Sequence, residues 1–255
     1  MFGLGGGAFA VAVLAACSGD DAGTSAASGS SSGSSSRSPV QGSSSGSPTQ
    51  GAGTQAPDST EAMNWKRVDM GFVSAYLLVR GDQAAMVDTG APSSAGDIEK
   101  VLTATGLGWD AVRHVIVTHL HDDHAGSMDK VMELAGTATG YAGQADIAQI
   151  SSPRELRPAA DGEKIFGLRV IATPGHTAGH ISVYDEQTGV LVAGDALGNT
   201  GALSGSNPRF TADAAAAKAS VAKLAELTGL KTILFGHGAP LETGAAQALT
   251  KLAAS

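Results

Sequence analysis

The stretch THLHDDHAG at residues 118–126 holds three histidines and two aspartates within six consecutive positions. The apolar run before it, at 112–117, predicts a buried strand, and the residues from Asp123 onward predict a helix. His119 and His121 therefore lie on the connecting loop, where side chains two apart project to the same side of an extended backbone. We expect these two histidines to bind one metal ion, and Asp123 to occupy the N-cap of the helix.

Further metal-binding side chains stand beside glycines at predicted strand ends. They are Asp88 in VDTG, His176 in TPGH, Asp195 in AGD and His237 in GHG. His124 falls in the first turn of the predicted helix, so that Asp123 and His124 can face a second ion. Asp195 is the candidate carboxylate to bridge the two ions.

Five imidazoles and two carboxylates are enough to hold two metal ions. Because no thiolate lies near them, they suit Zn²⁺ and also Fe or Mn. Three protein ligands per ion leave an open coordination position for a hydroxide, which a catalytic site requires. A lone His-x-His pair arises by chance on surface loops, but five of the seven histidines lie in these motifs. That clustering favours a metal site over a packing role.

The motif H-x-H-x-D-H at 119–124, with the later and earlier motifs in this order, resembles the metallo-β-lactamase superfamily of hydrolases. The resemblance extends over about residues 63–255. It implies an α/β fold, an αββα sandwich with the site at the edge where the two sheets meet. It further implies that His119, His121 and His176 hold the first ion, that Asp123, His124 and His237 hold the second, and that Asp195 bridges them.

Departures within the motifs narrow the subfamily. The zinc β-lactamases with a cysteine ligand place that thiolate where this chain has Asp195, and those with all-His/Asp sites generally lack a bridging aspartate there. The flavin-dependent di-iron relatives carry an acid in place of His121. The chain is therefore most similar to the glyoxalase II, lactonase and phosphodiesterase side of the family. Long glyoxalase II enzymes add a C-terminal glutathione-binding domain, which we expect to be absent because eighteen residues follow His237.

The expected activity is hydrolysis of a small acyl substrate, a thioester, an ester or a lactone, by a metal-bound hydroxide. The expected cofactors are two Zn²⁺ ions, with Fe or Mn as alternatives. Asp123 and Asp195 are the candidate catalytic residues, and Asp123 also orients or accepts a proton. Three alternatives stay open: a mononuclear-iron persulfide dioxygenase, a β-lactamase or phosphodiesterase, and a non-catalytic surface metal-binding protein.

Other polar residues are expected to act around the ions without binding them. Asp88 is expected to orient a histidine or fix a loop, and His180 to support the site through hydrogen bonds. His114, inside a predicted strand, is expected to be structural or exposed. Asn207 and Arg209 are expected either to contact substrate or to cap a loop.

The N-terminal segment has the composition of a targeting signal and not of a folded domain. Residues 1–17 are predicted to be a signal peptide whose end, LAAC at 14–17, resembles a bacterial lipobox. Lipid would then be attached to Cys17, the one cysteine of the chain; the alternative is an ordinary signal peptide with a chance cysteine. We expect an exported protein anchored to the cell envelope only through that lipid, and otherwise a periplasmic or secreted one.

The remaining residues divide into a linker and one domain. Residues 18–60 are rich in serine and glycine and are predicted to be a disordered linker. Residues 61–255 form the predicted metallo-β-lactamase-like catalytic domain, which is long enough for one sizeable core.

The charge of the chain bears on its partners. The net charge is −8, of which residues 61–255 carry −6, and aromatic residues make up 4%. An acidic domain with few aromatic side chains is a poor match for nucleic acid, which is bound through basic contacts and base stacking. We expect a small-molecule substrate and no nucleic acid, and the sequence leaves the oligomeric state open.

The periodicity of the domain predicts alternating strands and helices. Strands are predicted at 64–70, 72–80, 83–88, 112–118, 168–173, 180–185, 190–194 and 231–235. Helices are predicted at 93–105, 123–135, 143–150, 211–228 and 241–253.

Overall fold

The computed structural model of the chain describes residues 61–255. The predicted signal peptide with Cys17 and the predicted linker lie outside the described residues. The strands are β1 (Asn64–Asp69), β2 (Ser74–Arg80), β3 (Gln83–Val87), β4 (Val112–Ile116), β5 (Thr139–Ala142), β6 (Arg157–Pro158), β7 (Lys164–Ile165), β8 (Leu168–Ala172), β9 (Ile181–Asp185), β10 (Val190–Val192), β11 (Leu197–Asn199), β12 (Leu203–Gly205) and β13 (Thr232–Leu234). The α-helices are α1 (Ala95–Ala104), α2 (Asp122–Ala125), α3 (Met128–Leu134), α4 (Ala214–Ala225) and α5 (Ala245–Ala253).

Two mixed sheets carry the domain. The first has the strand order β1-β2-β3-β4-β5-β6, antiparallel from β1 to β3 and parallel from β3 to β6. The second has the order β13-β10-β9-β8-β7, in which only β10 and β13 run parallel. Strands β11 and β12 form a separate hairpin. The carboxyl ends of β3 and β4 thus lie at one edge of the first sheet, and those of β10 and β13 at one edge of the second.

Alternation along the strands builds the layers, because successive side chains point to opposite faces of a sheet. In β2, Ala75 and Leu77 pack with Ile98 of α1 on the outer face. Tyr76 and Leu78 face the other way, into a core formed with the second sheet.

The second sheet has the same arrangement on its own outer face. Leu224 of α4 and Leu249 of α5 pack there against Leu191 and Ile233. The order of layers is helix, sheet, sheet, helix, so the predicted αββα sandwich is confirmed.

Two predicted helices differ from the structure. The helix expected at 123–135 is divided into α2 and α3, because the Ser127 hydroxyl donates to Ala91 O (2.6 Å) and accepts from Ser94 N (2.8 Å). The N-cap of α2 is His121, with an extended backbone, so the placement of Asp123 at the N-cap was wrong. Asp123 lies in the first helical turn instead.

The helix expected at 143–150 is also wrong. Only a short 3₁₀ turn forms there, at Ile147–Gln149, because the residue that precedes it, Asp146, turns its carboxylate to neighbouring loops. The five strands that the sequence did not predict, β5, β6, β7, β11 and β12, have two to four residues each, which is too short for a detectable alternation. Within residues 61–255, no helix has the length and apolar character needed to cross a membrane.

Candidate metal centre

The candidate ligands come from both sheets and meet at one edge of the sandwich. Asp88 follows β3, the 118–121 loop follows β4, and α2 continues from that loop. His176 lies in the connection from β8 to β9, while Asp195 and His237 follow the parallel strands β10 and β13. The two pairs of parallel strands therefore deliver their carboxyl ends to the same place.

The first group of donors contains His119, His121 and His176, with ligand atoms that all lie within 4.8 Å of one another. His121 Nδ1 stands 2.9 Å from His176 Nε2. The rings of His119 and His121 are nearly perpendicular, with centroids 4.8 Å apart. Three imidazoles converging in this way can bind one cation.

The second group contains Asp123, His124 and His237. Asp123 Oδ2 lies 3.2 Å from His237 Nε2 and 3.8 Å from His124 Nε2. This set offers two imidazoles and one carboxylate, and it stands beside the first group.

Asp195 lies between the two groups and forms a third group of donors with His119 and His124. Its Oδ1 is 3.3 Å from His124 Nε2, and its Oδ2 is 3.4 Å from His176 Nε2 and 3.3 Å from His237 Nε2. One carboxylate therefore contacts imidazoles of both groups, as a bridging ligand must.

Asp88 fixes the first loop and one imidazole. Its carboxylate accepts hydrogen bonds from Thr118 N (2.7 Å) and Thr118 Oγ1 (2.9 Å). The same carboxylate lies 2.8 Å from His124 Nδ1 and orients that ring. Asp88 is buried and takes no part in the three donor groups.

His180 uses both ring nitrogens within the protein. Its Nε2 accepts a hydrogen bond from Asp195 N (3.0 Å), and its Nδ1 pairs with Thr173 Oγ1 (2.8 Å). His180 thus positions the backbone of Asp195 and is not a member of the donor groups.

Several of these partners were not predicted from the sequence. Thr118 Oγ1 pairs with His119 Nδ1 (3.0 Å), Ser206 Oγ with His176 Nδ1 (2.9 Å), and Phe72 O accepts from His237 Nδ1 (2.6 Å). The position of Thr118, directly before His119 at a strand end, was a usable signal. Ser206 and the carbonyl of Phe72 carry none, because they approach the histidines only through the fold.

Unpartnered buried atoms test whether these residues fit a cation. Within the described residues, six buried side-chain nitrogen or oxygen atoms have no hydrogen-bond partner. Three of them belong to this cluster: His119 Nε2, His124 Nε2 and Asp195 Oδ1. Buried polar atoms are rarely left unpaired in folded proteins. Their convergence on one point fits a bound metal ion.

The pKa values of the histidines differ between the two groups of donors. Burial lowers the pKa of His176 to about 4, and burial likewise holds the pKa of His119 well below its usual value. Burial also lowers the pKa of His124, but the carboxylates of Asp88 and Asp195 outweigh it and raise that pKa to about 10.

The carboxylates have the same effect on the last imidazole. Contacts with Asp123 and Asp195 raise the pKa of His237 to about 11. Burial raises the pKa of Asp195, but the imidazoles of His124 and His237 hold it well below its usual range. Protons on these two imidazoles balance the carboxylates, and a cation can replace them.

Two cavities open beside the cluster. The larger, of about 780 Å³, is lined by Asp195 and His237 and by the exposed rings of Phe72 and Phe210. The smaller, of about 420 Å³, is lined by His121, His176 and Arg209, and Phe210 lines this one as well. Asn207 lines the larger cavity, so both residues of the Asn207–Arg209 segment that the sequence singled out reach the site region.

His114 lies away from the cluster. It is half-buried between Tyr141 and Phe166, with ring centroids 5.7 Å from each. Its Nδ1 has no hydrogen-bond partner among the residues that the structure describes. The residue packs between the sheets and takes no part in the donor groups.

Gly236 allows the cluster to close. A Cβ at this position would lie 2.4 Å from Asp195 Oδ1 and 2.4 Å from His124 Cε1. A side chain there would displace the bridging carboxylate or the imidazole, so this residue must be glycine.

Comparisons with known proteins agree with this geometry. Residues 68–237 match the family model described as the Metallo-beta-lactamase superfamily. A hydroxyacylglutathione hydrolase of Alkalilimnicola ehrlichii is 35% identical over 175 residues, which cover 65% of this chain and 62% of that enzyme.

Solved structures show the same architecture. A metallo-beta-lactamase family protein of Thermus thermophilus, TTHA1429, superposes with a TM-score of 0.61 at 25% identity, over 75% of this chain and 78% of that one. TTHA1623, solved in a di-iron-bound form, has a TM-score of 0.58 at 25% identity, over 71% of this chain and 93% of that one.

The hydroxyacylglutathione hydrolases are longer proteins than the region of similarity. This chain spans 62% and 63% of the lengths of two of them. The superfamily binds divalent metals, and the cluster offers the groups to hold them. The chain belongs to the metallo-β-lactamase superfamily and is a metallo-hydrolase.

Proposed function

We propose that this chain is a dinuclear metal-dependent hydrolase of small acyl substrates. The observation that carries the proposal is the position of Asp195, whose two oxygens contact imidazoles of both donor groups. An arrangement of this kind suits two ions joined by one carboxylate.

The proposed ligands follow the three donor groups. His119, His121 and His176 would hold the first ion, Asp123, His124 and His237 would hold the second, and Asp195 would contribute to both. Zn²⁺ fits the imidazole and carboxylate donors, with Fe or Mn as alternatives. The ions, when bound, lower the pKa of a coordinated water to about 7 and polarise the acyl carbonyl.

The residues of the chain supply orientation and proton handling. Asp88 and His180 hold His124 and Asp195 through the hydrogen bonds described above. Asp123 is half-buried and faces His237, where its carboxylate can orient a nucleophilic water or accept its proton.

The larger cavity supports an uncharged, apolar substrate. Phe72 is 64% exposed and Phe210 is 57% exposed, and both rings line it. The described residues that line this cavity include neither lysine nor arginine. An anionic substrate would find no lysine or arginine there to pair with its charge, whereas an acyl chain can cover the two rings. A neutral ester, thioester or lactone is therefore the proposed substrate class.

Metal content is the first test, measured by elemental mass spectrometry on the full-length chain purified without chelators. Two ions per chain are expected. A single iron would favour the persulfide dioxygenase alternative, and no metal at all would contradict the ligand assignment.

The substrate class is tested with neutral esters and thioesters of increasing acyl length, beside an anionic S-acylglutathione. We expect kcat/KM to rise with acyl length and to exceed that of the anionic compound. Phe72→Ala should weaken the dependence on length. Leu134→Ala is the matched control, because Leu134 is, within residues 61–255, the third exposed large hydrophobic residue and lies outside the cavity. A faster rate with the anionic thioester would contradict the proposed class.

We further propose that the chain is exported and carries lipid on Cys17, as the similarity of residues 14–17 to a lipobox supports. In a bacterial host, Cys17→Ser should abolish labelling with radioactive palmitate and move the protein out of the membrane fraction. Label retained on the variant would contradict lipidation at this residue.

A further inference from the structure

Asp146 is a fully buried carboxylate that the sequence did not single out. Its Oδ2 accepts hydrogen bonds from Leu120 N (3.0 Å) and Thr177 Oγ1 (2.6 Å). Its Oδ1 accepts a hydrogen bond from Gly179 N (2.7 Å). One side chain thus holds three donors from two segments that are far apart in the sequence.

These donors stand directly beside the first group of histidines. Leu120 separates His119 from His121, and Thr177 follows His176 in the chain. His121 Nδ1 and His176 Nε2, the atoms that come within 2.9 Å, lie on the two segments that the carboxylate joins. The position of one segment relative to the other therefore depends on Asp146.

Only a carboxylate can accept all three of these hydrogen bonds. It has two acceptor oxygens and no donor, whereas an amide has one acceptor oxygen and an NH₂ group. Among the described residues, no lysine, arginine or histidine forms an ion pair with Asp146. The buried charge is therefore stabilised by donors from the two loops.

The contact leaves little room for adjustment. A Cβ on Gly179 would lie 2.6 Å from Asp146 Oδ1 and 2.6 Å from Asp146 N. The loop that follows His176 is thus closely packed against the Asp146 carboxylate. A change in the side chain at 146 must be transmitted to the loop.

We propose that Asp146 is a positioning residue that fixes the spacing of His119, His121 and His176 for the first ion. The inference rests on the proposed dinuclear function and extends it, because Asp146 itself belongs to none of the donor groups. It predicts that the two ions respond differently when Asp146 is changed.

The test is a Co²⁺ titration of the full-length, metal-depleted protein, followed by its visible absorption spectrum and by competition with a chromophoric chelator. In Asp146→Asn, the affinity for one ion should fall about 10- to 100-fold, as is typical when a residue that orients metal ligands is lost. The affinity for the other ion should stay near that of the unmodified protein. The Co²⁺ absorption bands of the weakened site should shift.

Asp185→Asn is the matched control. Asp185 is also a buried carboxylate with several hydrogen bonds, to Arg80 and Thr188, but it lies at the far end of β9 from the cluster. It should lower the melting temperature and leave both Co²⁺ affinities and the spectrum unchanged. Thr177→Val removes one of the three hydrogen bonds to Asp146. It should lower the affinity for the same ion, but to a smaller extent. It provides the test if Asp146→Asn does not fold.

The outcomes separate this inference from the proposed function. Two Co²⁺ ions bound by Asp146→Asn with unchanged affinity and spectrum would overturn the inference alone, whatever the loss of stability. An equal fall in the affinities for both ions would also overturn the inference. If the unmodified protein binds no Co²⁺, the proposed function fails, and this inference fails with it.

Discussion

Four of the five imidazoles in the cluster pair their Nδ1 atom with a protein group that is not itself a candidate metal ligand. The partners of His119, His124, His176 and His237 are Thr118, Asp88, Ser206 and the carbonyl of Phe72. Each bond fixes the orientation of the ring and the nitrogen that faces the cluster. The donor groups are therefore arranged by the protein itself.

Asp195 is the residue on which both proposed ions depend. In Asp195→Asn the bridge loses its charge and one acceptor oxygen. At least one ion per chain should be lost, and kcat/KM should fall about 100- to 1,000-fold, which is typical when a group that stabilises developing charge is removed. Elemental analysis and ester hydrolysis on the same sample measure both effects. An unchanged rate with full metal occupancy would refute the bridging role.

His114 should make stability depend on pH at a place remote from the cluster. Burial, with help from the charges of Arg113 and Arg157, lowers its pKa below the ordinary histidine value of 6.5. Between that lowered pKa and 6.5 the unfolded chain binds more protons than the folded one. The contribution of the neutral ring is therefore complete above pH 6.5 and is lost as the pH falls through this window.

The measurement is the urea midpoint at neutral and at mildly acidic pH, for the unmodified chain and for His114→Gln. The unmodified chain should lose more stability on acidification than the variant, which lacks the titrating ring. Acid release of metal affects both proteins equally and cancels in the difference. An equal loss in both would show that His114 does not titrate in this range.

At the scale of elements, the site consists of strand ends. The sequence could reveal the histidines and aspartates because they follow apolar runs, as His119 does after β4, or stand beside glycine, as His237 does. It could not reveal Asp146 or Ser206, which reach His-bearing loops 26 or more residues away through hydrogen bonds formed only in the fold. The long strands were predictable for a similar reason, since β2 is a nearly continuous apolar run, whereas β6, with two residues, is too short to show any pattern.

The end of β13 requires a glycine. In Gly236→Ala the added methyl group would meet Asp195 Oδ1 and His124 Cε1 at 2.4 Å, so that at least one of them must move. We expect loss of metal and a fall in kcat/KM of about 100-fold, since misplacement by about 1 Å has costs of this order. Metal content and kinetics measure the effect.

Gly96→Ala provides the control with the same chemical change. A Cβ at Gly96, in α1, meets nothing within 4 Å. The substitution should raise helix stability by up to about 1 kcal/mol and leave metal content unchanged. Normal metal content in Gly236→Ala would mean that the strand end is less tightly packed than the structure indicates.

At the scale of the whole molecule, the donors join the two sheets. His119 and His121 follow a strand of the first sheet, while Asp195 and His237 follow strands of the second. Bound ions should therefore stabilise the sandwich as a whole, because ligands that bind only the folded state raise its stability.

Removal of the ions with a chelator should lower the melting temperature. Binding at about 1,000 times Kd adds about 4 kcal/mol. In a domain of this size that corresponds to a rise of about 8–16 °C. Scanning calorimetry with and without chelator, and after zinc is restored, measures the change. An unchanged melting temperature would mean that no ion is held by groups from both sheets.

The hydrogen bond from His237 Nδ1 to Phe72 O joins the wall of the larger cavity to the cluster. The Phe72 ring also lies parallel to the imidazole, with centroids 6.4 Å apart and planes 20° from each other. A compound that displaces the Phe72 ring would therefore also displace His237, which holds metal in the proposed site. Such coupling is reciprocal by thermodynamic necessity, so whatever factor an occupant of the cavity applies to ion affinity, the ion returns to the occupant. Substrate in the cavity would then change the affinity of the site for its ion. An inhibitor that fills the cavity would, in the same way, either strengthen or weaken metal binding.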